Sequence, residues 1–152
     1  MYRDGVGGVC LRGGDKMLKF VRVRHYSLAE LICEGLELHN FVKRQPEVIL
    51  KSPHYAIYEG EKLAGWIGCA RRRGAVFEVR HLTVRPELRG KGVGLAAVEF
   101  MMRLLRQHGA VCCYAHIRRD NIASQSLFQK CGFTLMREGL VRKYLKLLRE
   151  GP

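Results

Sequence analysis

The chain has 152 residues, 47% apolar and 27% charged, the size and composition of one globular domain able to bury its own core. That excludes a collagenous, low-complexity or mainly disordered chain; no apolar run approaches the ~18 residues of a membrane helix, and the first residues lack the apolar centre of a secretory signal, so a cytoplasmic protein is expected. Lys plus Arg number 27 against 14 Asp plus Glu, a formal charge of +13, which attracts anions without distinguishing nucleic acid, membrane surface, acidic protein or phosphate-rich cofactor.

In chain order, residues 1–15 are glycine-rich without an apolar period and read as a flexible leader, with Met17 an alternative start and residues 16–152 a single domain. The alternation in MLKFVRVRHY predicts a first strand. Ser27 and Glu30 have the spacing of a capping box, and Leu28, Leu31, Ile32, Leu36 and Phe41 recur at helical intervals until Pro46. From His54 to Val84 the pattern predicts three strands joined by turns at 59–62 and 71–74. Leu95, Val98, Met102 and Leu105 mark one face of a helix ending at Gly109; AVCCYAHI is a buried strand; Asn121 caps a helix running to Gly132; GFTLM and VRKYLKLL are two last strands. The fold class is therefore α/β (α+β), a mixed, mostly antiparallel sheet of about six to seven strands flanked by helices.

The cysteines show no C-x-x-C spacing, and strand alternation sends Cys112 and Cys113 to opposite faces, so packed reduced thiols are expected and no metal. Arg71–Arg73 read as a solvated turn, and Trp66 and the tyrosines lack the basic-aromatic interleaving of a nucleic-acid platform.

The stretch Val84-Arg85-Pro86-Glu87-Leu88-Arg89-Gly90-Lys91-Gly92-Val93-Gly94-Leu95 leads from a strand into an amphipathic helix. Its glycines expose backbone N–H groups at a helix N-terminus, where the dipole favours anions, and Arg89 and Lys91 add positive charge, so a pyrophosphate is the expected occupant. The phosphate loop of nucleotide triphosphatases fails because Gly92 follows Lys91 where Ser or Thr is required. A dinucleotide fingerprint fits Gly92-Val93-Gly94-Leu95-Ala96-Ala97, with Asp120 downstream as ribose acid, but seven residues including Pro86 separate Val84 from Gly92.

The segment R-G-K-G-V-G, together with Asn121-Ile122-Ala123-Ser124-Gln125-Ser126-Leu127-Phe128-Gln129-Lys130-Cys131-Gly132-Phe133, resembles the GCN5-related N-acetyltransferase (GNAT) family from about Val76 to Phe133. The resemblance implies the acyl-CoA N-acyltransferase fold, with acetyl-CoA in a cleft where two parallel strands splay apart near Val84 and Ile117. It gives the cofactor pyrophosphate to Arg89, Gly90, Lys91, Gly92, Val93, Gly94 and Leu95, and the pantetheine and thioester to the Leu82, Thr83 and Val84 strand end and to Asn121. Ser124, Phe128 and Lys130 would line the remaining cofactor path. It implies no metal.

Glu78 is the expected catalytic base for the acceptor amine, and the resemblance implies that it acts through water. Uniform alternation would place Glu78, Arg80, Leu82 and Val84 on one face, with His81, the second candidate base, turned away. The competing reading of Glu78 is an ion pair with Arg80 or an arginine of the 71–73 turn. Phe128 stands where many family members carry the tyrosine that protonates the leaving thiolate; Tyr144 and Ser124 are the substitutes in reach of the reading. The expected function is direct acetyl transfer from acetyl-CoA to a primary amine of an unidentified small molecule or protein. The alternatives are a basic nucleic-acid or ribosome-binding module and a non-catalytic acetyl-CoA-binding protein. The expected partners are acetyl-CoA and the amine acceptor, with no membrane and with nucleic acid disfavoured. A homodimer stays open, because late-strand dimers are common in the family. The acceptor region, Ser27 to Ser52, carries no decodable motif, and the net charge favours an acidic acceptor over a polyamine.

Overall fold

The computed structural model describes residues 9–13 and 16–149, with side chains from Met17 onward. Its strands are β1 (Val9–Gly13), β2 (Lys16–Arg22), β3 (His54–Glu59), β4 (Lys62–Arg73), β5 (Val76–Val84), β6 (Cys112–Arg118), β7 (Thr134–Arg137) and β8 (Val141–Leu147). The helices are α1 (Tyr26–Gly35), α2 (Pro46–Lys51), α3 (Val93–Gln107) and α4 (Ile122–Lys130). They form the sheet order β1-β2-β3-β4-β5-β6-β8-β7, antiparallel at every pairing except β5 with β6. Eight strands rather than about six to seven are present because Val9–Gly13, assigned above to the leader, pairs antiparallel with β2. The remaining leader residues, 1–8 and 14–15, lie outside the described residues.

The sheet separates two apolar layers. Beneath α3 and α4, Phe20 stacks on Phe100 at 4.2 Å and Tyr55 meets the same ring edge-on at 4.9 Å, a geometry that adds to area burial. On the other face Val23, Ala29, Ile32, Ile49 and Trp66 form a smaller cluster under α1 and α2. There a Cβ at Gly35 would come within 2.2 Å of the indole, so the close approach of α1 to the sheet requires glycine. Cys113 is buried while Cys112 is half-buried, as alternation requires, and burial pushes the Cys69 and Cys113 thiols up to about 11 and about 12.

The first helix departs from its sequence signals. α1 begins at Tyr26 with His25 as an extended N-cap lacking a side-chain cap, so Ser27 lies inside the helix and the capping box does not form. The apolar period beyond Gly35 belongs to a π-turn, Leu36–Asn40, closed by Phe41 at φ 56°. Pro46 does not simply end the pattern: it opens α2 at a position where its missing N–H costs nothing. The second hairpin turn is Gly74-Ala75, with Arg71–Arg73 still in β4.

Candidate active site

β5 and β6 pair in parallel only over Val76–Glu78 and Cys112–Tyr114. Beyond that point the ladder ends, and the two strands leave an opening whose walls are the second half of β5 and the end of β6. The departure coincides with an irregularity in β5. Thr83 pairs with Trp66 and Arg80 with Gly68, so His81 and Leu82 together oppose Ile67, and His81 takes φ 62°, a conformation rare for a residue with a Cβ.

This bulge overturns the uniform alternation assumed from the sequence. Phe77 and Val79 enter the α3-side core, and after the bulge Leu82 and Val84 pack against the same core. Glu78, Arg80, His81 and Thr83 share the opposite face: His81 hydrogen-bonds His54 at 2.8 Å, and Thr83 Oγ1 donates to Asn40 Oδ1 at 2.8 Å. Glu78 and Leu82 are thus on different faces, and His81 is on the same face as Glu78.

Glu78 accepts from Arg72 Nε at 2.9 Å and from Arg72 Nη2, and its second oxygen lies 3.5 Å from His116 Nδ1. Its side chain is 13% exposed, so the carboxylate is oriented by Arg72 yet keeps an edge to solvent. Arg80 has no such partner. Burial lowers its pKa from the ordinary value, partly offset by Glu78 and reinforced by Arg72 and Arg44, and its Nε is buried without a hydrogen-bond partner. Lys143 Nζ lies 4.5 Å from the centroid of Tyr114, and Arg118 sits 5.1 Å over the ring of Phe41 while pairing with Asp120 at 2.8 Å.

The residues assigned to a cofactor fall into three groups. Arg89, Gly90, Lys91 and Gly92 form the loop before α3, with φ of 75° at Gly90 and 85° at Gly92, the N-cap. A Cβ at Gly90 would meet nothing within 4 Å, so that face of the loop is open. Gly92 offers no side-chain cap, and the first internal bond of the helix is Ala96 N–H to Gly92 O. The N–H groups of Val93, Gly94 and Leu95 therefore head the helix without an intrahelical acceptor, although Val93 turns its side chain into the core. Gly94 packs against α4, where a Cβ would touch Leu127 at 3.0 Å. These features fit an anion.

On the β5 wall, the carbonyl of Leu82 accepts from Asn40 Nδ2 at 3.3 Å and that of Val84 from Arg89 Nε at 3.0 Å. Asn121 caps α4 by accepting from the Ser124 N–H at 3.1 Å, which brings Asn121 and Ser124 together. Phe128 and Lys130 form the third group. Phe128 is buried, edge-on to Phe133 at 4.9 Å. Lys130 lines a groove of about 410 Å³ with Arg103, Arg106 and Lys146, which shares only Leu95 with the glycine loop. Tyr144 does not provide an exposed proton donor: it is 1% exposed and donates to Gln125 Oε1 at 2.9 Å.

Three residues were missed in the sequence. Asn40 ties the π-turn to the bulge by holding both Leu82 O and the Thr83 hydroxyl. Gln125 donates to the carbonyls of Arg118 and Arg119 at 3.1 and 2.7 Å and accepts from Arg142 at 2.6 Å, fixing the β6–α4 corner that carries Asn121. His54 supports His81. Gly68 beneath it was the available signal, since a Cβ there would lie 2.3 Å from the His54 ring.

The mostly antiparallel sheet with one splayed parallel pair is not the parallel wind that a dinucleotide fingerprint requires. Among the described residues no group of three or more His, Cys, Asp or Glu is placed to hold a metal, and no helix is long and apolar enough to cross a membrane. The structure is similar to Ard1 from Thermoplasma volcanium (TM-score 0.76, 14% identity, covering 88% of this chain and 99% of that one). It is also similar to yncA from Salmonella typhimurium, described as an acetyltransferase with its cofactor acetyl-CoA (0.72, 18%, 88% and 95%). A third similar structure is an acetyltransferase from Bacillus subtilis in complex with CoA (0.71, 19%, 86% and 98%). A search of curated proteins finds no match. The Acetyltransferase (GNAT) family matches residues 22–133, most of the chain and both walls of the opening, so the protein belongs to the GNAT acetyltransferase family.

Proposed function

We propose that this protein is an N-acetyltransferase that takes the acetyl group from acetyl-CoA and delivers it directly to a primary amine in a ternary complex. The observation that carries the reading is the parting of β5 from β6 after Glu78 and Tyr114, beside an α3 N-terminus that no side chain caps. The acetyl-CoA and CoA named for the Salmonella and Bacillus structures support the choice of co-substrate. Acetyl-CoA, when bound, supplies an activated thioester. Arg89, Lys91 and the N–H groups of Val93, Gly94 and Leu95 would hold its pyrophosphate, where helix dipole and side-chain charge act together. The backbone of Leu82, Thr83 and Val84 and the Asn121 amide would flank the pantetheine arm, while the Thr83 hydroxyl stays with Asn40.

An amine attacks only when neutral, so the site must take up a proton. Glu78 is assigned that role through a water, with Arg72 orienting the carboxylate. Glu78→Gln should lower kcat by about 10²-fold or more while leaving acetyl-CoA affinity unchanged. The assay is release of free thiol from acetyl-CoA on addition of primary amines. Amine-dependent release that survives Glu78→Gln removes the role of Glu78, and release from no amine removes the enzyme.

Phe128 favours a second reading, a protein that binds acetyl-CoA without turning it over, because the phenyl ring has no proton to give and lies against Phe133. Amine-dependent thiol release by the wild type separates the two, and Phe128→Tyr then reads the proton donor. If departure of the thiolate limits the rate, the hydroxyl raises turnover at constant acetyl-CoA affinity; if water or Ser124 already serves, the rate stays the same.

A further inference from the structure

The bulge sets two neighbouring residues side by side on the Glu78 face with complementary needs. Arg80 Nε is a buried donor without an acceptor, and His81 Nε2 is a buried ring nitrogen without a partner. The protonation of His81 follows from its chain of contacts. His54 Nδ1 lies 2.9 Å from the Ser52 carbonyl, which can only accept, so Nδ1 carries the proton and the neutral ring presents a bare Nε2. That nitrogen lies 2.8 Å from His81 Nδ1, which must therefore donate, leaving His81 Nε2 bare as well. Burial first, then His54 and Arg80, hold His81 neutral, with a pKa lowered to about 2. The imidazole is thus a fixed hydrogen-bond acceptor.

A buried donor or acceptor left unsatisfied costs about 1–3 kcal/mol. Among the described residues two other buried nitrogens lack partners, Arg22 Nε and Trp66 Nε1, but Arg22 lies over the Tyr55 ring at 5.9 Å and Trp66 belongs to the α1–α2 cluster. Among the described residues, only Arg80 and His81 of these four lie on the stretch of β5 that has parted from β6. A carboxylate alone would satisfy Arg80 and face the lone pair of His81; a polyamine would satisfy His81 and meet Arg80 and Arg44.

We propose that the acceptor is a primary amine bearing its own oxyanion, carboxylate or phosphate, with the anion set against Arg80 and the amine nitrogen against His81 Nε2. The inference rests on the acetyltransferase reading and names the substrate class of that site. His81 is here a positioning group for the amine, and Glu78 keeps the proton-accepting role.

The test is a calorimetric titration of the full chain, alone and saturated with CoA, by two matched pairs and a polycation: O-phosphoethanolamine against ethanolamine, β-alanine against β-alaninamide, and spermidine. The expected result is at least tenfold tighter binding of one or both anionic members than of their neutral partners, no saturable binding of spermidine, and a ratio near one in Arg80→Gln. Which pair discriminates tells phosphate from carboxylate. Equal binding within both pairs, preference for spermidine, or binding of no amine overturns the proposal. Should Arg80→Gln fail to fold, the wild-type ratios decide. An acetyl-CoA titration beside it reads the parent claim: its failure removes the acetyltransferase reading whatever the amines do, whereas success with undiscriminated pairs removes only the acceptor class.

Discussion

Beneath α3, β5 contributes Phe77, Val79, Leu82 and Val84 to a dry, close-packed layer; on its other face the same strand presents Glu78, Arg80, His81 and Thr83. The first layer depends on filled volume, spread over many side chains. The second depends on one backbone irregularity, because without the bulge at His81 and Leu82 the register beyond Arg80 would invert. A core of this kind tolerates changes of shape at a graded cost, whereas the site is all or nothing in its geometry.

The largest effect is expected in the core. Phe100→Ala removes a fully buried ring stacked on Phe20 and should cost about 3–5 kcal/mol in urea unfolding. A loss under 1 kcal/mol would mean that the α3 layer is not close-packed.

The site face should answer to acid. His54 and His81 are neutral in the fold, lowered to about 4 and about 2, chiefly by burial, against about 6.5 in the unfolded chain. Below pH 6.5 the unfolded state therefore binds protons that the folded state refuses, and stability falls as pH falls, down to the folded pKa of each ring. Between pH 6 and 5 the two together should remove about 2 kcal/mol, and His54→Gln should flatten the profile. A urea midpoint unchanged across that interval would contradict the buried neutral pair.

The smallest stability effect belongs to the loop. Gly92→Ala places a Cβ at φ 85° and should cost about 1 kcal/mol, yet weaken acetyl-CoA binding by a larger factor, because it turns the α3 N–H groups. Equal acetyl-CoA affinity in this variant would separate the loop from the cofactor.

Legibility followed the same division. The glycine loop could be read because its chemistry is local: consecutive residues, one helix start, positive φ where glycine stands. The Asn121 cap was readable for the same reason, its acceptor and donor being three residues apart. The element order follows from periodicity, and the parallel neighbours β5 and β6 follow from the family resemblance. The bulge was not readable, since alternation counts residues and a bulge changes the count without any marker in the strand. Asn40 escaped because its partners lie 42 and 43 residues away, and Gln125 because it joins Arg118 and Arg119, 7 and 6 residues back, to Arg142 and Tyr144, 17 and 19 residues on. The Ser27 capping box misled because the start of α1 is set by the preceding chain, where the Val23 N–H is bound to His54 O and His25 is extended.

The most direct measurement is a calorimetric titration with acetyl-CoA, run beside NAD and a short single-stranded RNA at low and physiological salt. The account predicts saturable one-site binding of acetyl-CoA and no comparable binding of the other two. Failure to bind acetyl-CoA, with NAD or RNA bound tightly in its place, would contradict the assignment of the glycine loop and of the site built on it.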